Sequence, residues 1–422
     1  MHKTTLQCVE AGLSRVNYHS PVESAFKRSL NMRVCFLAAF SFAILMSASS
    51  APGDEPLPLI DKSQARVSAN VPPELAERGR KAVENGLKYL ASQQDKHGGW
   101  TSRYGPAVTA IVTQAFVNHP EYGRNHDLVK RAISSILKHE QPDGGIYERG
   151  QNLANYQTSV VLTMLAGVDD PALNPRIAKA QAFLCKLQYD ENESIDDKDP
   201  WYGGAGYNST KRPDLSNTQM MLEALHDSGL PPTDPTYQKA LKFVTRCQMN
   251  GATNDQPFAA GSTDGGFIYS PVSGGQSKAN GIFDGKSKLR SYGTMTYSGF
   301  KSMLYASVAK DDPRIKACIG WIRSNYTVDS NANMPQRKST EGLYYYYHVF
   351  SRALAQWGEP VIVDSAGKSH NWRVDLITKL CSLQRPDGSW KNDEDRWLEG
   401  DANYVTALAI LSLQTALETP RP

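Results

Sequence analysis

The sequence predicts an all-α fold in which about twelve helices, taken in six pairs, close into an α/α barrel. Three observations predict it. Glycine pairs recur at Gly98-Gly99, Gly144-Gly145, Gly203-Gly204 and Gly265-Gly266, with weaker counterparts at Glu341-Gly342 and Gly388. Each pair separates an amphipathic helical stretch from one that is almost free of charge, and a helix apolar all round must be buried all round. An open solenoid ends in polar, atypical units. Here the last stretch, "ANYVTALAILSL", is among the most apolar, so the sixth unit is expected to pack on the first.

The elements follow in chain order. Residues 1–50 hold five basic and two acidic side chains, and "KRSLNMR" leads into "VCFLAAFSFAILM" and then "SASSAPGDE". A basic flank, a short apolar run and small residues form the layout of a secretory signal peptide. The run is well short of the roughly 20 apolar residues that cross a bilayer, so no membrane span is expected in the mature chain. Met32 is the expected start, cleavage is expected near Ser50, and the product is expected to be periplasmic or extracellular. A Pro-rich segment, 51–75, leads to one repeat domain over 76–418.

Within that domain, "RKAVENGLKYLASQQ" sets Val83, Leu87 and Leu90 on one face and Arg80, Lys81, Glu84 and Lys88 elsewhere. This places 80–94, and by the same pattern 128–140, in an outer ring. "ANYQTSVVLTML" and "ANYVTALAILSL" carry no charge, placing 156–168 and 404–417 in an inner ring. Threonines recur near the inner helix starts and are expected to cap them. The longest insertion, from Ser262 to Tyr297, is crowded with Gly, Ser and Lys and is expected to form a rim or lid.

Composition excludes several function classes. The chain of 422 residues is 40% hydrophobic and 21% charged, with a net charge of +3 that the first 50 residues account for. The rest is neutral, so no nucleic-acid partner is expected. Cys185, Cys247, Cys318 and Cys381 are too widely spaced for a Cys-x-x-Cys metal site and are expected to be free thiols. No metal and no cofactor is expected.

Gln-x3-Gly-x-Trp occurs at Gln94–Trp100 and again at Gln384–Trp390. This resembles the QW repeat of squalene–hopene and related terpene cyclases. The wider pattern over 76–418 is similar to the prenyltransferase and squalene-cyclase repeat family, although the second unit has Ile146 for Trp. The resemblance implies an α/α toroid with a central cavity. It also implies where chemistry should be sought and where this chain departs. The Asp-x-Asp-Asp-Thr of hydrocarbon-protonating cyclases is matched by "DLSNT", in which Asp214 and Thr218 remain but Ser216 stands at the proton donor's place. The Asp-x-Cys of zinc prenyltransferases is absent from the sequence.

The mouth of such a cavity is read at the inner helix starts. Asp214, Asp264, His348 and Asp401 are the candidate catalytic groups, and Asn155, Tyr156, Asn217, Tyr292, Tyr297, Tyr347, Asn403 and Tyr404 the candidate ligand contacts. A hydroxyl such as that of Ser216 is too weak an acid to protonate an alkene, whereas aromatic faces hold apolar chains without one. The expected function is an exported toroid protein that binds or processes an isoprenoid-like apolar ligand. A non-catalytic binding or scaffold toroid is one alternative. A toroid polysaccharide lyase is another, drawing on Asn155 or Asn403, His348, a tyrosine, and Arg290 or Arg352.

Overall fold

The computed structural model describes residues 69–283 and 286–418; the expected signal peptide and most of the 51–75 segment lie outside them. Six outer helices run over α1 (Pro73–Ser92), α3 (Asp127–Leu137), α5 (Asn174–Lys186), α7 (Pro235–Cys247), α9 (Pro313–Asn325) and α11 (Trp372–Leu383). Six inner helices alternate with them: α2 (Pro106–Val117), α4 (Ala154–Gly167), α6 (Leu215–Asp227), α8 (Gly293–Tyr305), α10 (Leu343–Trp357) and α12 (Ala402–Leu417). Each inner helix packs on the next, and α12 packs back on both α2 and α1, which closes the ring. The all-α toroid read from the charge contrast is the observed fold. Among the described residues no helix is long and apolar enough to cross a membrane.

The pairing of the two rings explains the sequence pattern. An outer helix such as α1 buries only Val83, Leu87, Leu90 and their small neighbours, so its other side can carry charge. Inner helices contact a neighbour on each side and an outer helix behind, so α8 buries twelve of its thirteen residues. Burying that much apolar surface from water is the main stabilising contribution of the ring.

The recurrent loops clasp one unit to the next. Gln94 donates from Nε2 to the carbonyls of Gly98 and Leu128, at 3.0 Å each. Gln384 does the same toward Gly388 (2.9 Å) and, across the closure, Ala82 (2.8 Å). Gln188 and Gln248 repeat the arrangement on α7 and α9. Trp100 and Trp390 sit fully buried and donate from Nε1 to Leu90 O and Leu380 O. Gly388 has φ +87°, and a Cβ there would stand 2.6 Å from the Asn85 carbonyl of α1. Only glycine allows the last loop to approach the first helix this closely.

The recurrent threonines have a different task from the one expected. Thr109, Thr158, Thr218, Thr296 and Thr406 lie one turn inside their helices rather than at the caps. Each accepts the backbone N–H of the loop residue after the glycine pair: Trp100, Ile146, Ala205, Phe267 and Trp390, at 2.9–3.1 Å. The fifth unit has no such threonine. Tyr346 and Tyr347 of α10 take over by donating to Thr327 O (2.7 Å) and Val328 O (2.8 Å).

Two small antiparallel hairpins decorate the ring, β1 (Gly281–Phe283) with β2 (Lys286–Lys288) and β3 (Val361–Val363) with β4 (Ser369–Asn371). The first lies in the long insertion. Cys185, Cys247, Cys318 and Cys381 are free thiols.

Candidate functional site

All six inner helices begin at one end of the ring, and there they surround a cavity of about 450 Å³. Its wall carries Tyr104, Tyr156, Tyr207, Tyr269, Tyr292, Tyr345 and Tyr404 together with Trp397, Met220 and Met295. Burial raises the pKa of the Tyr156 phenol to about 12, so its hydroxyl is a neutral donor and acceptor near neutral pH. Tyr104 and Trp397 are 40% and 39% exposed and mark the mouth. Among the described residues, charge on the wall is confined to Lys278 and Asp395.

Where the resemblance would place an acid, the structure places a hydroxyl. Ser216 lines the cavity, and its Oγ lies 3.1 Å from Tyr345 Oη, which also accepts from Gln219 Nε2 at 2.9 Å. Asp214 sits behind the wall as the N-cap of α6, accepting from Asn217 N and Asn217 Nδ2 at 2.9 Å each. Burial pushes its carboxyl above the ordinary value, against the opposing pull of the Asn217 donors and the neighbouring Tyr269 hydroxyl. That arrangement fixes the start of α6 and aims no acidic proton at the cavity.

A loop closes part of the mouth. Trp397 and Leu398 both have positive φ (57° and 71°), an uncommon backbone for bulky residues. The loop is held on either side of them. Arg396 pairs with Glu341 at 2.7 Å, and the buried Glu399 accepts Tyr345 N at 2.8 Å and Asn392 Nδ2 at 2.6 Å. Asn392 also donates to Thr340 O at 2.7 Å. Burial lifts the Glu399 carboxyl to about 7 although the N–H donors of Tyr345, Tyr344 and Leu343 oppose it.

Met220, Tyr345 and Tyr404 also line a second, smaller chamber of about 40 Å³, one to two turns deeper between the inner helices. His348 and Glu223 stand on its wall. Glu223 is held by Lys301 Nζ at 2.7 Å and Arg352 Nε at 2.8 Å, and Arg352 also binds Asp227. These four charges cancel. Burial pushes His348 down to about 4, so its imidazole is neutral at pH 7.

The residues expected to form a site divide between places. Tyr156, Asn217, Tyr292 and Tyr404 are on the cavity wall, and His348 is in the deeper chamber. Tyr297 and Tyr347 are elsewhere, which corrects the expectation that they line the cavity. Tyr297 packs edge-on against Tyr346 and Phe350 in the core, and Tyr347 holds the 328 loop. Asn155 is buried with Nδ2 bonded to Gly206 O, and Asn403 donates to Thr101 Oγ1. Asp401 is the N-cap of α12 and accepts from Thr101 and Tyr404 N. Asp264 stands in an exposed loop, accepting the Gly266 N–H. Arg290 binds Asn333 on the loops, apart from the Arg352–Glu223 cluster. Among the described residues no three His, Cys, Asp or Glu side chains gather as a metal site.

Sequence reasoning missed Tyr207, Tyr269, Tyr345, Lys278 and Trp397. Apart from Tyr345 they come from loops; Tyr207 and Trp397 lie shortly before an inner helix, a signal that could have found them, whereas Tyr269 and Lys278 sit inside the long insertion well ahead of α8 and carry no such signal.

Comparison with solved structures agrees with this architecture. A variant of type II terpene cyclase MstE from Scytonema, in complex with the substrate geranylgeranyl dihydroxybenzoate, superposes with a TM-score of 0.51 at 14% identity, covering 82% of this chain and 99% of that one. The α-1,6-mannanase from Salegentibacter gives 0.51 at 8% identity, over 81% of this chain and 100% of the other. A D-mannose isomerase gives 0.50 at 12% identity, over 82% and 99%. Identities this low show a shared fold, and one fold hosts many activities. The chain is thus an α/α toroid of the architecture that terpene cyclases share with sugar-processing enzymes. No family model and no curated protein matches the sequence.

Proposed function

We propose that this is an exported toroid protein, its repeat domain spanning 76–418, whose central cavity takes an isoprenoid-like apolar molecule without acid-initiated cyclisation. One observation carries the proposal: a cavity of about 450 Å³ walled by seven tyrosines and a tryptophan, with Ser216 where a proton-donating carboxyl would be needed. The volume falls in the range of roughly 300–1,000 Å³ typical of small-molecule sites. Aromatic faces pack against a hydrocarbon chain, and phenol hydroxyls supply a few oriented hydrogen bonds. Protonating an alkene needs a strong acid presented to the ligand, whereas Asp214 faces its own helix start. The likeness to a terpene cyclase supports the fold and leaves the ligand class to be argued from this wall.

The test is incubation of the purified protein with farnesol and geranylgeraniol, read by native mass spectrometry and tryptophan fluorescence. One molecule per chain is expected to be retained. Squalene and geranylgeranyl diphosphate offered to the same preparation should be recovered uncyclised. Efficient turnover of either would overturn the proposal, as would failure to retain any isoprenoid. Sequencing the N-terminus of the protein from its native compartment tests export, with a start near residue 51 expected.

A further inference from the structure

Among the described residues Lys278 is the one cation on the wall of the tyrosine cavity. It is half-buried, with its ammonium 4.2 Å above the ring of Tyr269. A cation placed in an apolar wall normally meets a carboxylate. Among the described residues Lys278 makes no ion pair, because the nearby acids are engaged elsewhere. Asp214, Asp401 and Glu399 serve the starts of α6, α12 and α10, and Glu341 pairs with Arg396. Asp395 shares the wall at the exposed rim but stands beyond ion-pair distance.

The surroundings add positive charge. Burial first, and then the repulsion of Arg212 and Arg396, hold the Lys278 ammonium below its ordinary pKa, against the weaker attraction of the Asp214 carboxyl behind the wall. Arg396 spreads over Trp397 at the mouth, 4.5 Å from the ring centre. An anion arriving between the mouth and Tyr269 would relieve this repulsion and supply the missing partner.

We infer that the ligand is a single-chain amphiphile with an anionic head, a carboxylate or a phosphate, which Lys278 anchors at the mouth while the apolar chain lies among the tyrosines. This rests on the proposed function and narrows its ligand class. The head is confined to the mouth because Glu223, the charge on the wall of the deeper chamber, is already held by Lys301 and Arg352, and the chamber has room only for a few water-sized groups. Tail-first entry therefore leaves the head beside Lys278.

The experiment compares three ligands of one chain length, farnesol, farnesoic acid and farnesyl phosphate, by titration calorimetry at pH 7. The protein is used as the wild type, Lys278→Met and Lys278→Arg. Lys278→Met keeps the apolar stem and removes the charge. A charge-assisted bond supports an expected preference of about tenfold to a hundredfold for the anions over farnesol in the wild type. That preference should survive in Lys278→Arg and vanish in Lys278→Met, in which the anions should bind no better than farnesol. Raising the salt should weaken the two anions and leave farnesol alone. Comparing the acid with the phosphate tells which head fits. Equal binding of all three by the wild type, or an anion preference that persists in Lys278→Met, overturns the inference while the apolar cavity stands. If none of the three binds, the cavity proposal fails and the inference falls with it.

Discussion

Replacing Gly388 by Ala tests the closure of the ring. At φ +87° an alanine is held in a left-handed conformation that costs about 1–2 kcal/mol. Its Cβ would also meet the Asn85 carbonyl at 2.6 Å, and that atom is backbone in the middle of α1. Relief requires the 384–390 loop to withdraw from α1, which breaks the 2.8 Å bond from Gln384 Nε2 to Ala82 O and loosens the 2.9 Å bond to Gly388 O. At about 1 kcal/mol net for each hydrogen bond, the whole effect is about 3–4 kcal/mol. Gly123→Ala is the control. Its φ is also positive, +52°, but a Cβ there has nothing within 4 Å, so only the conformational cost of about 1–2 kcal/mol applies. Urea unfolding midpoints at constant slope report the difference, with about 2 kcal/mol expected between the two variants. Native-state hydrogen exchange should show α1 losing protection in Gly388→Ala alone. If the two variants fall within about 0.5 kcal/mol of each other, the sixth loop does not fasten the first helix in the way described.

Three further outcomes are expected. Lys301 is wholly buried and bonded to Glu223, so Lys301→Met should cost about 3–5 kcal/mol in urea unfolding by stranding part of a buried charge; an unchanged midpoint would show that Arg352 satisfies Glu223 alone. Glu399, raised by burial to about 7 from its ordinary 4.5, stays protonated in the fold while the unfolded chain ionises, so it removes stability as pH rises through that window. His348, lowered to about 4 from 6.5, resists the proton that the unfolded chain accepts, so it removes stability as pH falls through the overlapping window. The two oppose each other, and Glu399→Gln should unmask the histidine. The variant's unfolding free energy minus the wild type's should grow by about 3 kcal/mol from pH 4.5 to 7, and a constant difference would contradict the buried-acid assignment. Trp397 is the tryptophan on the cavity wall, so the blue shift on farnesol binding should disappear in Trp397→Phe and persist if the ligand binds elsewhere.

The chain's own pattern was enough to determine the toroid. Charged residues appear on one side of every outer helix because that side meets water, and they are absent from stretches such as 404–413 because no side of an inner helix does. The last helix carries no charge and had to be covered on every side, so closure on the first unit was legible as well. Which tyrosines face the cavity was not. In "GLYYYYH" successive side chains are about 100° apart on a helix buried all round, so no polar face marks the inward direction. Packing against Phe350, Tyr297 and the 327–328 loop turns Tyr346 and Tyr347 outward and leaves Tyr345 to the cavity. Tyr207, Tyr269 and Lys278 arrive on loops without periodicity, so their place on the wall is set by hydrogen bonds such as Asn155 N to Tyr207 O and Leu215 N to Tyr269 O. Sequence fixes a helix's burial through the chemistry of its own faces, whereas the direction of one side chain within a fully buried ring is decided by its neighbours, and these meet only in the folded chain.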